Sequence, residues 1–252
     1  YRIGNGTPTF NVLGLGSGTG EPDIEILRVI KSIHPTVSII NEVVEPNHLL
    51  VAKYKELVAD FKGFENVTFR WKEMNCAEYE NQEKQKIESE KFDFIHMIQM
   101  LYYVQDIEAT IKFFHSLLKQ NGKLLIIILA DSSGWNLLWK EYGSQLFSSK
   151  FQSLTSASAS CSDIEEVLKR LGLRYQVFDI PSEWDITEIF IEDSENGNIL
   201  LDSLTDITNF RLTAPPDLKA GVLNKLQQPE CSSERDGKII FNTSVSAIVV
   251  DK

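Results

Sequence analysis

Residues 11–15 form an apolar run that breaks into Gly16-Ser17-Gly18-Thr19-Gly20, and apolar side chains then recur at Ile24, Leu27, Ile30 and Ile33. The pattern changes from that of a buried strand to that of a helix across a few residues rich in glycine. Glycine lets a backbone turn sharply and lie close to a ligand, so the order is strand, bare turn, helix. The helix N-terminus at such a turn offers free N–H groups and partial positive charge. This feature commits the N-terminal half of the chain to an α/β architecture.

The alternation continues downstream. His34-Pro35 stops the helix, residues 37–44 form a β-branched run ending at Glu45, and a helix is predicted over 47–61. A strand over 66–71, a polar stretch over 78–90, a strand over 92–98, a helix over 107–118 and a strand over 123–129 follow. Strands separated by helices predict a mostly parallel, Rossmann-like sheet covered on both faces. Residues 144–162 are serine-rich and aperiodic and are expected to be a loop, followed by a helix over 163–171 and a strand over 174–179. Residues 184–206 carry no pattern that folds them. The runs 238–242 and 245–250 alternate and are expected to pair as an antiparallel hairpin that closes the sheet. The expected division is a core of 1–130 plus 237–252, with 131–236 inserted as a substrate-binding lobe and core-completing elements.

Among the 252 residues, 25 are Lys or Arg and 36 are Asp or Glu, a formal net charge of −11. Proteins that bind by neutralising phosphates carry the opposite sign, so no nucleic-acid partner is expected and a small or cationic substrate is favoured. Cys76, Cys161 and Cys231 are scattered, without a CxxC pair or an accompanying histidine set. They read as free thiols in a reducing, cytoplasmic setting, with no metal site. No run approaches the roughly 20 apolar residues of a membrane span, so no membrane partner is expected. Tyr1 stands first with no signal-like stretch, and the chain reads as truncated at its start.

The ligand of the glycine turn can be narrowed by chemistry. Glu45 lies 25 residues after Gly20, at a strand end where a carboxylate can accept hydrogen bonds from both ribose hydroxyls. A Walker loop needs Lys and Ser or Thr after its glycines, whereas Glu21-Pro22 follow here. If Gly14 and Gly16 are taken as the first glycines of a dinucleotide fingerprint, the third falls on Thr19. Glu21 would also face a pyrophosphate. An acid beside the turn suits a nucleoside without phosphates and with a positive centre, which is S-adenosylmethionine. His34, His48, His96 and His115 read as structural.

Several segments carry a resemblance. They are residues 41–46, 52–58 and 92–104, Ser132-Ser133-Gly134-Trp135 with Trp139, and Thr213-Ala214-Pro215-Pro216-Asp217-Leu218. In the same order and over nearly the whole chain, they resemble the histamine N-methyltransferase family of class I S-adenosylmethionine-dependent methyltransferases. The resemblance implies a generally monomeric cytoplasmic enzyme that moves a methyl group to an imidazole ring nitrogen. Carried over by position, Gly16 and Glu45 resemble cofactor contacts, with Cys76 and Ile98 flanking the adenine. Gln99 resembles a glutamine that hydrogen-bonds the substrate, and Tyr102, Tyr103, Trp135 and Trp139 resemble the aromatic walls of its pocket. Taken singly, those aromatics also suit ordinary core packing.

No nucleophilic side chain is required by the implied reaction, because a sulfonium methyl is already activated and needs only alignment with a ring nitrogen. This chain departs from the family in places. The substrate-contacting asparagine of the last hairpin falls at Thr243, or at Asn242 if the register slips by one. Leu50 replaces a glutamine of the second helix, and Ser203 stands where the family lines its pocket with phenylalanine. The family's N-terminal lid, which supplies a glutamate to the substrate ammonium, is expected to be missing. These departures leave open a related imidazole such as carnosine as substrate, or a catalytically silent cofactor-binding homologue.

Overall fold

The computed structural model describes residues 3–4, 6–60, 62–146 and 159–252. The chain runs β1 (Thr9–Leu15), α1 (Glu21–Ile33), β2 (Ser38–Val44), α2 (His48–Ala59), β3 (Val67–Lys72), α3 (Cys76–Lys84) and β4 (Phe92–Ile98). A 3-10 turn (Leu101–Tyr103), α4 (Ile107–Ser116), β5 (Leu118–Leu129), α5 (Gly134–Leu146), α6 (Cys161–Arg170) and β6 (Tyr175–Ile180) follow. Then come β7 (Glu183–Asp185), a second 3-10 turn (Thr187–Phe190), α7 (Glu195–Thr205), α8 (Phe210–Thr213), α9 (Pro216–Gln227), β8 (Ser232–Arg235), β9 (Lys238–Asn242) and β10 (Val245–Asp251).

Seven strands form the main sheet in the order β3-β2-β1-β4-β5-β10-β6. The first five pair in parallel, and β10 lies antiparallel to both β5 and β6. The order reverses between β1 and β4, and ligands of open α/β sheets bind at the carboxyl ends of strands flanking such a reversal. The expected α/β class, a mostly parallel sheet closed by a reversed strand, is the fold observed. In β5, Leu124, Ile126 and Ile128 are buried and Leu125 and Ile127 half-buried, so both faces are at least partly covered and residues 124–129 read as a continuous apolar run rather than an alternation.

The final hairpin corrects one expectation. The runs 238–242 and 245–250 are both strands, but they do not pair with each other. β9 pairs with β7 and β8 in a separate three-stranded sheet, whereas β10 inserts between β5 and β6. Two residues separate the strands, and each is tied elsewhere: Thr243 N–H donates to the Ser182 carbonyl at 2.9 Å and Ala130 N–H donates to the Ser244 carbonyl at 3.1 Å. Alternation identifies a strand without naming its partner. The polar stretch 78–90 contains α3, whose start is fixed by a capping box between Asn75 and Glu78. Of the serine-rich stretch, 144–146 finish α5 and 161–162 open α6, while 147–158 lie outside the described residues.

Of four apolar clusters among the described residues, two border the segment that follows β5. One joins the sheet to α4 and α6, and the other fills a lobe with Leu138, Ile189, Leu204, Phe210, Val222 and Phe241. Trp135 and Trp139 of α5 pack against both clusters. Helix α5 is thus the shared wall between sheet and lobe, and it follows directly from the carboxyl end of β5.

Candidate active site

The glycine turn is built as its sequence requires. Gly16, Gly18 and Gly20 take φ of +66°, +57° and +88°, in the left-handed region that disfavours side chains. At Gly16 a Cβ would lie 2.7 Å from Cβ of Met100, and at Gly18 it would meet open space. The turn is therefore closed on the protein side and bare on the outer side. Gly16 N–H donates to the Val44 carbonyl at 2.8 Å, tying the turn to the end of β2.

Glu45, which follows β2, is buried, and each of its carboxylate oxygens has a fixed partner. Gly18 N–H donates to Oε2 at 2.9 Å and Asn47 N–H to Oε1 at 2.9 Å. The carboxylate holds the turn and the start of α2 together while retaining lone pairs for hydroxyl donors. Cys76 opens α3, and burial first, then the charges of Glu45 and Glu80, push its thiol up to about 12. Ile98 ends β4 on the opposite side of β1 from β2, partly exposed.

Behind the turn lies a polar cluster that sequence patterns did not reveal. Asp23 of α1 and His96 of β4 are both almost fully buried and approach to 3.5 Å. Burial pushes the Asp23 carboxyl up, opposed by His96 and by the polar groups of Ser17, Tyr54 and Asn41 around it. A Cβ on Gly14 would lie 2.5 Å from Ser17 Oγ and 2.8 Å from Asp23 Oδ2, so this glycine makes room for the cluster. The glycine before the turn and an acid in the next helix were the only available signals.

On the far side of the sheet reversal, Gln99 follows β4 with φ +52°, a left-handed conformation rare for a residue with a long side chain. Its N–H donates to the Ile127 carbonyl at 2.9 Å. Leu129 N–H donates to the Tyr102 hydroxyl at 2.8 Å, and that hydroxyl donates to Gln99 Oε1 at 2.8 Å. The polarity of this relay fixes the amide: because Tyr102 must donate onward, Oε1 faces it and the NH2 points away. Burial pushes the Tyr102 phenol up, so it stays protonated and able to donate.

Tyr102 meets Trp139 edge-on at 5.7 Å and 86°, Trp139 meets Trp135 at 5.6 Å, and Tyr102 meets Tyr103 at 6.4 Å. The four aromatics thus form one continuous wall. Both indole N–H groups donate to the Leu204 carbonyl, at 3.2 Å from Trp135 and 3.0 Å from Trp139. Thr243 is not joined to this wall by any described contact. It is buried, and its hydroxyl donates to Ser182 Oγ at 2.9 Å. Asn242 instead sends its amide to the Ser132 carbonyl at 2.9 Å, just before α5. Ser203 is exposed and its hydroxyl returns to its own helix, on the Ile199 carbonyl. Among the described residues no group of histidines, cysteines and acids is arranged to hold a metal.

The left-handed glycines, the doubly anchored Glu45 and the acids at the start of α1 fit an adenosyl ligand that carries no phosphate. A seven-stranded sheet of this order with such a cradle defines a class I S-adenosylmethionine-dependent methyltransferase. A family model described as a methyltransferase domain matches residues 5–176. The chain is 48% identical over 251 residues to histamine N-methyltransferase from Bos taurus, spanning 99% of this chain and 84% of that protein. It is 50% identical over 250 residues to carnosine N-methyltransferase 2 from Gallus gallus, spanning 99% and 76%. Among solved structures, the fold is similar to the YcgJ protein of Bacillus subtilis, with TM-score 0.60, 17% identity and coverage of 97% and 92%. It is also similar to phosphoethanolamine N-methyltransferase 2 of Haemonchus contortus, with TM-score 0.51, 21% identity and coverage of 100% and 50%. The chain belongs to the methyltransferase-domain family and, within it, to the group of histamine N-methyltransferases.

Proposed function

We propose that this methyltransferase acts on an imidazole ring nitrogen of a small amine, with histamine the first substrate and carnosine the second. The observation that carries the reading is the relay from Leu129 through Tyr102 to Gln99, which presents an oriented amide at the carboxyl edge of the sheet. Bound S-adenosylmethionine supplies a methyl group already activated by its sulfonium. Glu45 would hold the ribose hydroxyls, Gly16 and its neighbours would let the backbone lie against the ligand, and Cys76 and Ile98 would flank the adenine.

Gln99 Oε1 keeps a second lone pair beyond the one Tyr102 occupies, and this accepts the N–H of the substrate ring. Holding that tautomer leaves the lone pair of the opposite ring nitrogen free to react. As the ring becomes cationic its N–H becomes a stronger donor, so the bond tightens in the transition state rather than before it. The faces of Tyr102, Tyr103, Trp135 and Trp139, supplied by the 3-10 turn and by the inserted segment 131–236, hold the positive ring and exclude water. Imidazole, with an ordinary pKa of about 6.5, is largely neutral near pH 7, so no general base is needed. Of the two hairpin candidates, Asn242 suits the substrate edge better than Thr243, because its amide is directed toward the start of α5.

Carnosine stays as the alternative because the chain is 50% identical to the Gallus gallus carnosine N-methyltransferase 2. The same proposal includes a monomer and a cytoplasmic setting, and the three free cysteines support the reducing setting. The test is methyl transfer from labelled S-adenosylmethionine to histamine, carnosine and free imidazole. Turnover of histamine above the others supports the first assignment, and turnover of carnosine above histamine exchanges the two. No transfer to any imidazole, with cofactor binding confirmed by calorimetry, would remove the reading.

A further inference from the structure

The glycine turn rests on a buried polar layer that the methyl transfer itself does not use. Gly14 lies inside β1 and pairs with His96 of β4. Glycine within a strand weakens it and marks the close approach of another group. Here the approaching groups are polar: a Cβ on residue 14 would lie 2.5 Å from Ser17 Oγ, 2.8 Å from Asp23 Oδ2 and 2.8 Å from Cε1 of His96. A hydroxyl from the turn, a carboxylate from α1 and an imidazole from β4 thus meet over one bare Cα. At the far end of the turn, a Cβ on Gly20 would run into the Tyr54 ring, and Asn41 of β2 donates to the Tyr54 hydroxyl at 3.3 Å. Asn41 and Tyr54 complete the layer.

Stability alone does not account for this layer. Asp23 is 2% exposed and His96 1%, with Oδ1 and Nε2 3.5 Å apart. Burying a carboxylate opposes folding, and an apolar pair of similar size usually holds a core as well or better. An acid in the first turn of a helix can complement the dipole from the surface, as exposed Glu21 does, so Asp23 need not be buried for that purpose. Among the described residues, Ser17 Oγ, Asp23 Oδ2 and both ring nitrogens of His96 find no hydrogen-bond partner outside the layer. Each group is therefore held by its neighbours within it. Ser17 stands between Gly16 and Gly18, two residues without side chains, and its own side chain is buried. It is the point at which the layer grips the turn. A local preference broken at such a point marks a site kept for function.

We propose that Asp23 is a positioning residue for the cofactor: paired with His96, it fixes Ser17 and so keeps the glycine turn in the shape that receives S-adenosylmethionine. It acts through Ser17 and not on the reacting atoms. Gly14 is the condition for this arrangement, because any side chain there would occupy the place where the three groups meet. The assignment rests on the cofactor class alone, so its test needs no methyl acceptor and is independent of which imidazole is the substrate.

The experiment measures calorimetric binding of S-adenosylhomocysteine and ligand-free thermal unfolding. The proteins compared are the wild type, Asp23→Asn, Ser17→Ala, these two combined, and Asp23→Leu combined with His96→Phe. Asp23→Asn keeps the shape of the side chain and removes its charge, and is expected to raise Kd about tenfold, as when a hydrogen bond loses its charged partner. If Asp23 acts through Ser17, the combined Asp23→Asn and Ser17→Ala protein should bind no more weakly than the weaker single variant. The apolar pair removes the buried charge, so its Tm should hold or rise, while its Kd should increase at least as much as in Asp23→Asn. A pair kept for stability alone predicts the reverse, a lower Tm with an unchanged Kd. An unchanged Kd in Asp23→Asn or in the apolar pair, or additive losses with Ser17→Ala, overturns the assignment.

Discussion

The most informative perturbation is Tyr102→Phe, because one hydroxyl serves both stability and the orientation of Gln99. The ring is retained, so its edge contact with Trp139, at 5.7 Å between centroids, is preserved. The Leu129 N–H, buried beneath it, loses its acceptor. An orphaned buried donor costs about 1–3 kcal/mol, well below the roughly 5–15 kcal/mol that holds a typical domain together, so the variant folds. For a chain of this size each kcal/mol lowers Tm by roughly 2–4 °C. On the substrate side, the Gln99 amide loses the donor that fixed its orientation, and its hydrogen bond to a ring acquiring charge is no longer preset. Such bonds are worth about 1.5–3 kcal/mol, which is roughly a ten- to 150-fold loss in kcat/KM for histamine. Affinity for S-adenosylhomocysteine should be unchanged, since Glu45 and the glycine turn are untouched. The assay is a double-mutant cycle with Gln99→Ala, read by steady-state kinetics and thermal unfolding. If Tyr102 acts through Gln99, the double variant should be no slower than Gln99→Ala alone. Independent, additive losses, or an unaltered kcat/KM in Tyr102→Phe, would refute the relay.

Glu45→Gln keeps one acceptor oxygen but removes the charge and places an NH2 against a backbone N–H, either that of Gly18 or that of Asn47. It should weaken calorimetric binding of S-adenosylhomocysteine by about tenfold or more, as expected for hydrogen bonds to a charged group, and leave substrate KM at saturating cofactor nearly constant. The cysteines give a pH prediction. Burial pushes Cys76 up to about 12 from an ordinary 9.0, and burial pushes Cys231 up to about 11. Because the folded Cys76 keeps a proton that the unfolded chain releases above about pH 9, stability should fall as pH rises from there toward 12 and be insensitive to these thiols below 9. At pH 8, alkylation of native Cys76 by iodoacetamide should be slower than in urea by about a thousandfold, in proportion to thiolate. Equal rates measured by mass spectrometry would contradict that environment.

Much of the site was legible because its parts are local. Gly16, Gly18 and Gly20 between a strand and a helix need no tertiary information to be recognised as a bare turn, and Glu45 is read directly from the end of the next strand. The segment through Gln99, Tyr102 and Tyr103 is contiguous and carried its own resemblance. What joins these residues was not legible. The Tyr102 hydroxyl that donates to Gln99 is itself held by the N–H of Leu129 on another strand, and buried His96 meets Asp23 of α1, far from it in the chain. The two last strands were recognised, but their partners were not, since period-two alternation is the same whichever strand lies alongside.

The order of residues alone determined the class of fold and the phosphate-free character of the cofactor cradle, since these follow from glycine conformation, charge and periodicity along short stretches; the aromatics beside Gln99 were picked out by the family resemblance. Only tertiary structure decided that β9 leaves β10 for the lobe, that Asn242 rather than Thr243 turns its side chain toward the start of α5, and that Trp135 and Trp139 share the Leu204 carbonyl. The reason is that hydrogen-bond partners and fields from remote charges depend on distances between segments far apart in the chain, and no local pattern encodes those distances.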